Sequence, residues 1–190
     1  MQYNQIKTPE DLMKFMDENI EYGVIDCNNR TITDSSSDEF QIACNTTWTL
    51  KKPFEIIESG VGHCYDQVEI ERKWFVNNGY NCKTIWISAY QQNIEDSGFC
   101  HSYLVFEKDS KWNIFEHSDF SHRGIFSFNT IDEAIRYQAH NQIEYATSCN
   151  KPKSKYSVCI KMFDTPPDYC NMNEYLDHIN NSKDYLLENF

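Results

Sequence analysis

The sequence has no apolar run long enough to span a membrane, and its first ten residues are polar, without a signal-like hydrophobic core. These absences lead to the expectation of a cytoplasmic protein. There is no Cys-x-x-Cys pair among the eight cysteines, so the usual signature of a structural zinc site is missing. In a cytoplasmic chain those cysteines are expected as reduced thiols, not as a disulfide framework. Positive charge is scarce: 17 Lys and Arg stand against 29 Asp and Glu, for a formal net charge of −12. A surface that negative repels phosphate backbones, so nucleic acid is not an expected partner. Internal repeats and a domain linker are also lacking, and 190 residues are read as one domain.

The chain has ample material for a core. Apolar residues make up 40% of it and aromatic residues 15%, with clear periodicity. Thr8-Pro9-Glu10-Asp11 reads as a helix start, with a cap, a first-turn proline and acids at the positive end. Leu12, Phe15, Met16 and Ile20 mark its apolar face, and Gly23 is the expected stop. Residues 28–38 are polar and serine-rich and read as a loop. A short helix is expected over 54–59, ended by Gly60, and a longer one over 65–78, ended by Gly79.

The pattern then changes to alternation. Residues 84–89, 101–107, 112–118, 124–128 and 156–162 read as strands. Lys108-Asp109-Ser110-Lys111 is the polar turn of a hairpin. Thr130-Ile131-Asp132-Glu133 is a capping box that predicts a helix over 131–145. Pro166-Pro167 breaks the chain, and residues 173–187 read as a terminal helix. The expected fold class is α+β.

Cys64 opens the helix that follows Gly60-Val61-Gly62-His63. Unpaired N–H groups and the dipole at a helix start favour the thiolate, which is the nucleophilic form. Gly60 and Gly62 are expected to let the loop approach closely and leave room for a substrate. The bland alternative is a small buried residue, as most free cysteines are. A thiolate nucleophile needs a base that returns a proton to the leaving group, and the base needs an orienting acceptor. His101 opens a strand and is the candidate base. With the turn at Asp109-Ser110, Tyr103 falls opposite Glu116 and His101 opposite Ser118. His101 and Glu116 are then diagonal neighbours on one face, roughly 7–8 Å apart at the backbone. A slip of one residue would bring His117 beside His101 instead. Asp119 is the alternative acid, and His63 is read as a loop residue.

Taken together, Gly62-His63-Cys64-Tyr65-Asp66-Gln67, Cys100-His101-Ser102-Tyr103-Leu104-Val105-Phe106-Glu107 and Lys111-Trp112-Asn113-Ile114-Phe115-Glu116-His117-Ser118 resemble the core of the transglutaminase-like superfamily. That pattern has a Gly-x-Cys at a helix start, a histidine opening a strand, and an acid four residues after a tryptophan on the next strand. Cys64, His101, Trp112 and Glu116 follow it in order, over roughly residues 50–130. Glu116 departs from it, since most members carry Asp there. The resemblance implies a papain-like layout, with N-terminal helices and the cysteine's helix packed on an antiparallel sheet. It implies acyl transfer at an amide or ester through a thioester on Cys64, with His101 protonating the leaving group. Protease, deamidase and transglutaminase chemistry all fit, without a cofactor, on a protein or peptide substrate with water or an amine as acceptor. The backbone N–H of Cys64 is the first expected oxyanion donor. Trp48 and Gln41 are side-chain candidates, and Tyr65 and Asp66 are candidate cleft residues. Two other readings stand beside this one: a non-catalytic binding module that retains the fold, and a zinc enzyme using Cys64, His101 and His117.

Overall fold

Asp109 and Ser110 both take left-handed backbone, with φ of 54° and 60°, and this tight turn sets the central hairpin. The computed structural model describes residues 2–91, 98–149, 156–163 and 169–187. Strands β5 (Cys82–Gln91), β6 (Phe99–Lys108), β7 (Lys111–Glu116), β8 (Gly124–Phe128), β9 (Tyr156–Phe163) and β10 (Lys183–Asp184) form one sheet. Their order is β10-β9-β5-β6-β7-β8, and every neighbouring pair is antiparallel. Strands β1 (Glu21–Tyr22), β2 (Val24–Ile25), β3 (Thr31–Ile32) and β4 (Val61–Gly62) are short: β1 pairs with β4, and β2 with β3. The architecture is α+β.

Alternation along the strands gives the sheet two apolar faces. Leu104, Phe106 and Phe115 point to one side and pack with Val68, Ile70, Trp74 and Phe75 of helix α4 (Cys64–Asn77). Helix α1 (Pro9–Asn19) joins this core through Leu12, Phe15 and Met16. Ile85, Ile87, Val105 and Ile114 point to the other side, against Ala134, Ile135 and Ala139 of helix α5 (Ile131–Cys149). Each large apolar side chain so buried contributes roughly 1.5–3 kcal/mol. Helix α3 (Pro53–Ser59) packs on α4. Among the described residues, no helix is long and apolar enough to cross a membrane.

The expected helices begin where their caps predict. Thr8 Oγ1 accepts from the Asp11 N–H at 3.1 Å, and Thr130 Oγ1 from the Glu133 N–H at 3.1 Å. Gly60 ends α3 in left-handed backbone, with φ of 69°. Three expectations are corrected. Helix α1 stops at Asn19, four residues before Gly23, because Ile20 turns extended and buries itself. The stretch read as a loop contains β3, and helix α2 (Asp38–Ile42) starts at its end, capped by Ser37 Oγ on the Phe40 N–H at 3.1 Å. The terminal helix is α6 (Met172–Asn180), which stops well short of residue 187. Asn181 Nδ2 and Ser182 Oγ donate to the Asp177 and His178 carbonyls at 2.8 and 2.7 Å and close the helix there. The chain then pairs as β10 with β9, and Lys161 Nζ holds Asp184 Oδ1 at 2.7 Å. Pro166-Pro167 lies outside the described residues.

Candidate active site

The first two turns of α4, from Cys64 to Glu71, are buried on every side. This stretch carries Asp66, Gln67, Glu69 and Glu71, so its polar groups need partners inside the protein. Asp66 is fully buried. Its carboxylate accepts from the His63 N–H at 3.2 Å and from Trp48 Nε1 at 3.1 Å, and His63 Nδ1 lies 2.7 Å away. Gln67 ties the preceding loop down. Its Nε2 donates to the Gly62 carbonyl at 2.7 Å, and its Oε1 meets His117 Nδ1 at 2.6 Å. Gly62 serves packing here, not substrate space. A Cβ at this position would sit 2.9 Å from the Asp66 Cβ and 3.0 Å from Ile56 Cγ2.

Strands β6 and β7 pair in the expected register, from Lys108 with Lys111 to Leu104 with Phe115. The ladder ends there, three residues short of His101, and Tyr103 and Glu116 form no ladder pair. His101 and Glu116 still meet, with Nε2 to Oε2 at 2.6 Å. The chain after β7 folds back onto the same carboxylate. Ser118 Oγ donates to Glu116 Oε1 at 3.2 Å and the Asp119 N–H at 2.8 Å, which fixes the acid's orientation. The His101 side chain and the Ser102 backbone act on the Cys64 thiol and lower its pKa. With Nε2 on Glu116, Nδ1 is the imidazole nitrogen left for the thiol. Cys64, His101 and Glu116 are thus linked in one chain of contacts.

The electrostatics of this chain favour an ion pair. Burial pushes the Cys64 thiol up, but the bond to His101, the charges of His63 and His101, and the Ser102 N–H outweigh it, so the thiol lies below its ordinary value. Burial also works against a charged His101, yet Glu116 and Cys64 hold the imidazole well above 6.5. His63 behaves in the same way: Asp66 overcomes its burial and raises it.

The other candidates are placed as follows. Trp48 is fully buried, with its N–H on Asp66 and its ring against His63, Tyr65 and Tyr175. Tyr65 is buried and accepts from Trp86 Nε1 at 3.1 Å. Neither lines the described cleft; both support the start of α4. Gln41 is exposed at the cleft rim, with Nε2 3.4 Å from the Ser35 carbonyl. Asp119 faces His122 at 2.9 Å and not His101. His117 is buried on Gln67, away from the dyad, and burial followed by the Arg123 charge lowers it to about 4. Among the described residues, no group of three or more His, Cys, Asp and Glu is placed to hold a metal ion.

A cleft of about 320 Å³ opens beside His101, lined by Tyr22, Phe40, Gln41, His101, Asp119 and Tyr145 among others. Cys64 is 7% exposed and is not among the lining residues; His101 is the member of the set that faces the cleft. Three contributors were not read from the sequence. His63, in the link between β4 and α4 as read, is also the N-cap of α4, is buried and places charge beside the thiol, and Asp66 three residues on is the signal that could have found this role. Tyr22, whose hydroxyl is pushed well up by burial and by Cys64, comes from a two-residue strand with no sequence signal. Glu71 is buried with Oε2 unpartnered, and burial and the Glu116 charge hold its carboxyl well above the usual range. Compared with protein-family models and with curated proteins, the chain matches none.

Proposed function

We propose that this chain is a cysteine-dependent acyl-transfer enzyme of transglutaminase-like type, acting on an amide or ester in a protein or peptide. The observation that carries the reading is the contact chain from the Cys64 thiol at the start of α4 through His101 to Glu116. The packing of α4 on an antiparallel sheet whose strands bear the histidine and the acid supports the papain-like layout. In this reading the thiolate attacks a carbonyl carbon presented in the cleft. Here the backbone N–H of Cys64, the first residue of α4, is the donor to the developing oxyanion; the Asp66 and Gln67 N–H groups are taken by the His63 carbonyl. His101 then passes its proton to the leaving nitrogen or oxygen, and a thioester forms on Cys64. Water or an amine, deprotonated by His101, attacks the thioester and releases the thiolate. Glu116 keeps the imidazole oriented and stabilises its charged form.

The test is intact-mass spectrometry of the protein with a panel of activated peptide amides and esters. An acyl adduct on the wild type that is absent from Cys64→Ala supports the reading. No adduct with any donor would leave the non-catalytic binding module in its place.

A further inference from the structure

The cleft beside His101 is walled by aromatic rings that reach it from four separate elements. Tyr22 comes from β1, Phe40 from α2, Phe120 from the link between β7 and β8, and Tyr145 from α5. Tyr22 touches two of the others: its ring stacks on Phe40 with centroids 6.1 Å apart and meets Phe120 edge-on, also at 6.1 Å. Phe120 is 68% exposed and Tyr145 55%. They are not scattered singly over the surface but line one cleft, and apolar surface gathered in that way marks a place that another group covers. Among the described residues of the lining there is no lysine or arginine, and Asp119 is the one aspartate or glutamate that joins His101 there. The charges near the rings are already met. Asp119 Oδ2 faces His122 Nδ1 at 2.9 Å and its Oδ1 accepts from the Ser121 N–H at 2.9 Å. The Arg123 guanidinium, 4.5 Å from the centre of the Phe120 ring, is paired with Asp17 at 2.8 Å. His101 is paired with Glu116. A charged side chain therefore finds no unmet opposite charge among these groups, whereas an aromatic ring finds the faces and edges that rings prefer.

His101 lines this cleft and Cys64 does not. In the reading proposed above the thiol holds the acyl group and the imidazole serves the leaving nitrogen, so the cleft lies on the leaving-group side. We propose that it is a subsite selecting an aromatic side chain on the residue that supplies that nitrogen. The inference rests on the reading of Cys64 and His101 as nucleophile and acid. The cleft volume of about 320 Å³ is at the small end of ligand clefts, roughly 300–1,000 Å³, and suits one side chain with its backbone, not a long segment. The same subsite serves the return reaction. The nitrogen of an incoming amine attacks the thioester carbonyl carbon and a C–N bond forms. The C–S bond breaks, the sulfur departs as the thiolate, and His101 takes the proton from nitrogen. An amine bearing an aromatic side chain is held where its nitrogen meets His101. Its ring covers Phe120 and Tyr145 and leaves water in doing so, which an amine without a side chain cannot do.

The experiment forms one acyl-enzyme on the full chain with the p-nitrophenyl ester of N-acetylglycine and offers it the α-amides of phenylalanine, glycine, arginine and glutamic acid at equal concentration. Release of p-nitrophenol and the mass adduct on Cys64 report acylation. The ratio of new amide to N-acetylglycine, read by mass spectrometry, reports capture by each amine. Phenylalaninamide should be captured about tenfold or more better than glycinamide, with the two charged amides close to glycinamide. Phe120→Ala should bring the ratio of phenylalaninamide to glycinamide most of the way to one. A ratio taken on one preparation cancels any loss of folded protein, and Tyr145→Ala, on a different element, is the second variant. Equal capture of all four amines, a preference for either charged one, hydrolysis alone, or a phenylalaninamide preference that both variants leave in place overturns the subsite and leaves the acyl-transfer reading standing. Absence of any acyl adduct on Cys64 sinks that reading and this inference with it.

Discussion

His101 Nε2 and Glu116 Oε2 lie 2.6 Å apart, although the ladder between their strands has already ended at Leu104 and Phe115. Beyond the ladder the Glu116 side chain still reaches the imidazole, while Ser118 Oγ and the Asp119 N–H hold its other carboxylate oxygen.

Glu116→Gln keeps the shape of this contact and removes its charge. Without the carboxylate the imidazolium loses its main support, and the thiolate of Cys64 loses support with it. The alkylation midpoint of Cys64 should therefore move to higher pH, and acyl transfer should fall roughly 10²–10⁴-fold. Glu116→Asp should retain part of the effect, because the charge remains. An unchanged midpoint in Glu116→Gln would remove the acid from the account.

Glu71 predicts a stability effect of its own. Its carboxyl is held well above 4.5 by burial, with the Glu116, Glu69 and Cys64 charges adding to the shift and His101 opposing it. The folded state keeps a proton that the unfolded chain releases. This group therefore costs nothing below its unfolded pKa and destabilises the fold increasingly as pH rises through the window up to its raised value. Glu71→Gln removes that cost. Thermal melts should show a gain of about 2–4 °C per kcal/mol relieved at neutral to alkaline pH, and no gain near pH 4. An equal change at both pH values would show that packing, not charge, is what the residue contributes.

His117 gives the opposite pH window. Its value of about 4 lies below the ordinary 6.5, so between these values the unfolded chain binds a proton that the folded one refuses. Stability should fall as the solution is acidified through this range, by up to about 1.4 kcal/mol per pH unit. Replacing His117 with Gln should flatten that slope in urea titrations. It should also weaken the tie to Gln67, which secures the loop before Cys64. A slope that persists in the variant would assign the acid sensitivity to another group.

Much of the site was legible because it depends on local rules. The register of β6 and β7 follows from a two-residue turn at Asp109-Ser110 and from alternation, and both can be read along the chain. Cys64 was legible as the first residue of a helix. The supporting groups were less so, because they depend on which buried groups find partners in three dimensions. Trp48 looked like an oxyanion donor but spends its N–H on Asp66, eighteen residues away. His63 was set aside as a loop residue, yet it is buried with Asp66 beside it. The end of α6 was misplaced because residues 181 and 182 cap the helix, and the strand that follows gains its stability from β9 and Lys161.

The central claim is that Cys64 is ionised by its contact with His101. The direct measurement is the pH dependence of iodoacetamide alkylation at each cysteine, resolved by peptide mass spectrometry, in the wild type and in His101→Asn. The account predicts that Cys64 has a midpoint below the ordinary thiol value of 9.0 and reacts fastest of the eight cysteines at neutral pH, and that His101→Asn shifts its midpoint upward. Equal labelling of all the cysteines at neutral pH, or a Cys64 midpoint that His101→Asn leaves in place, would contradict it.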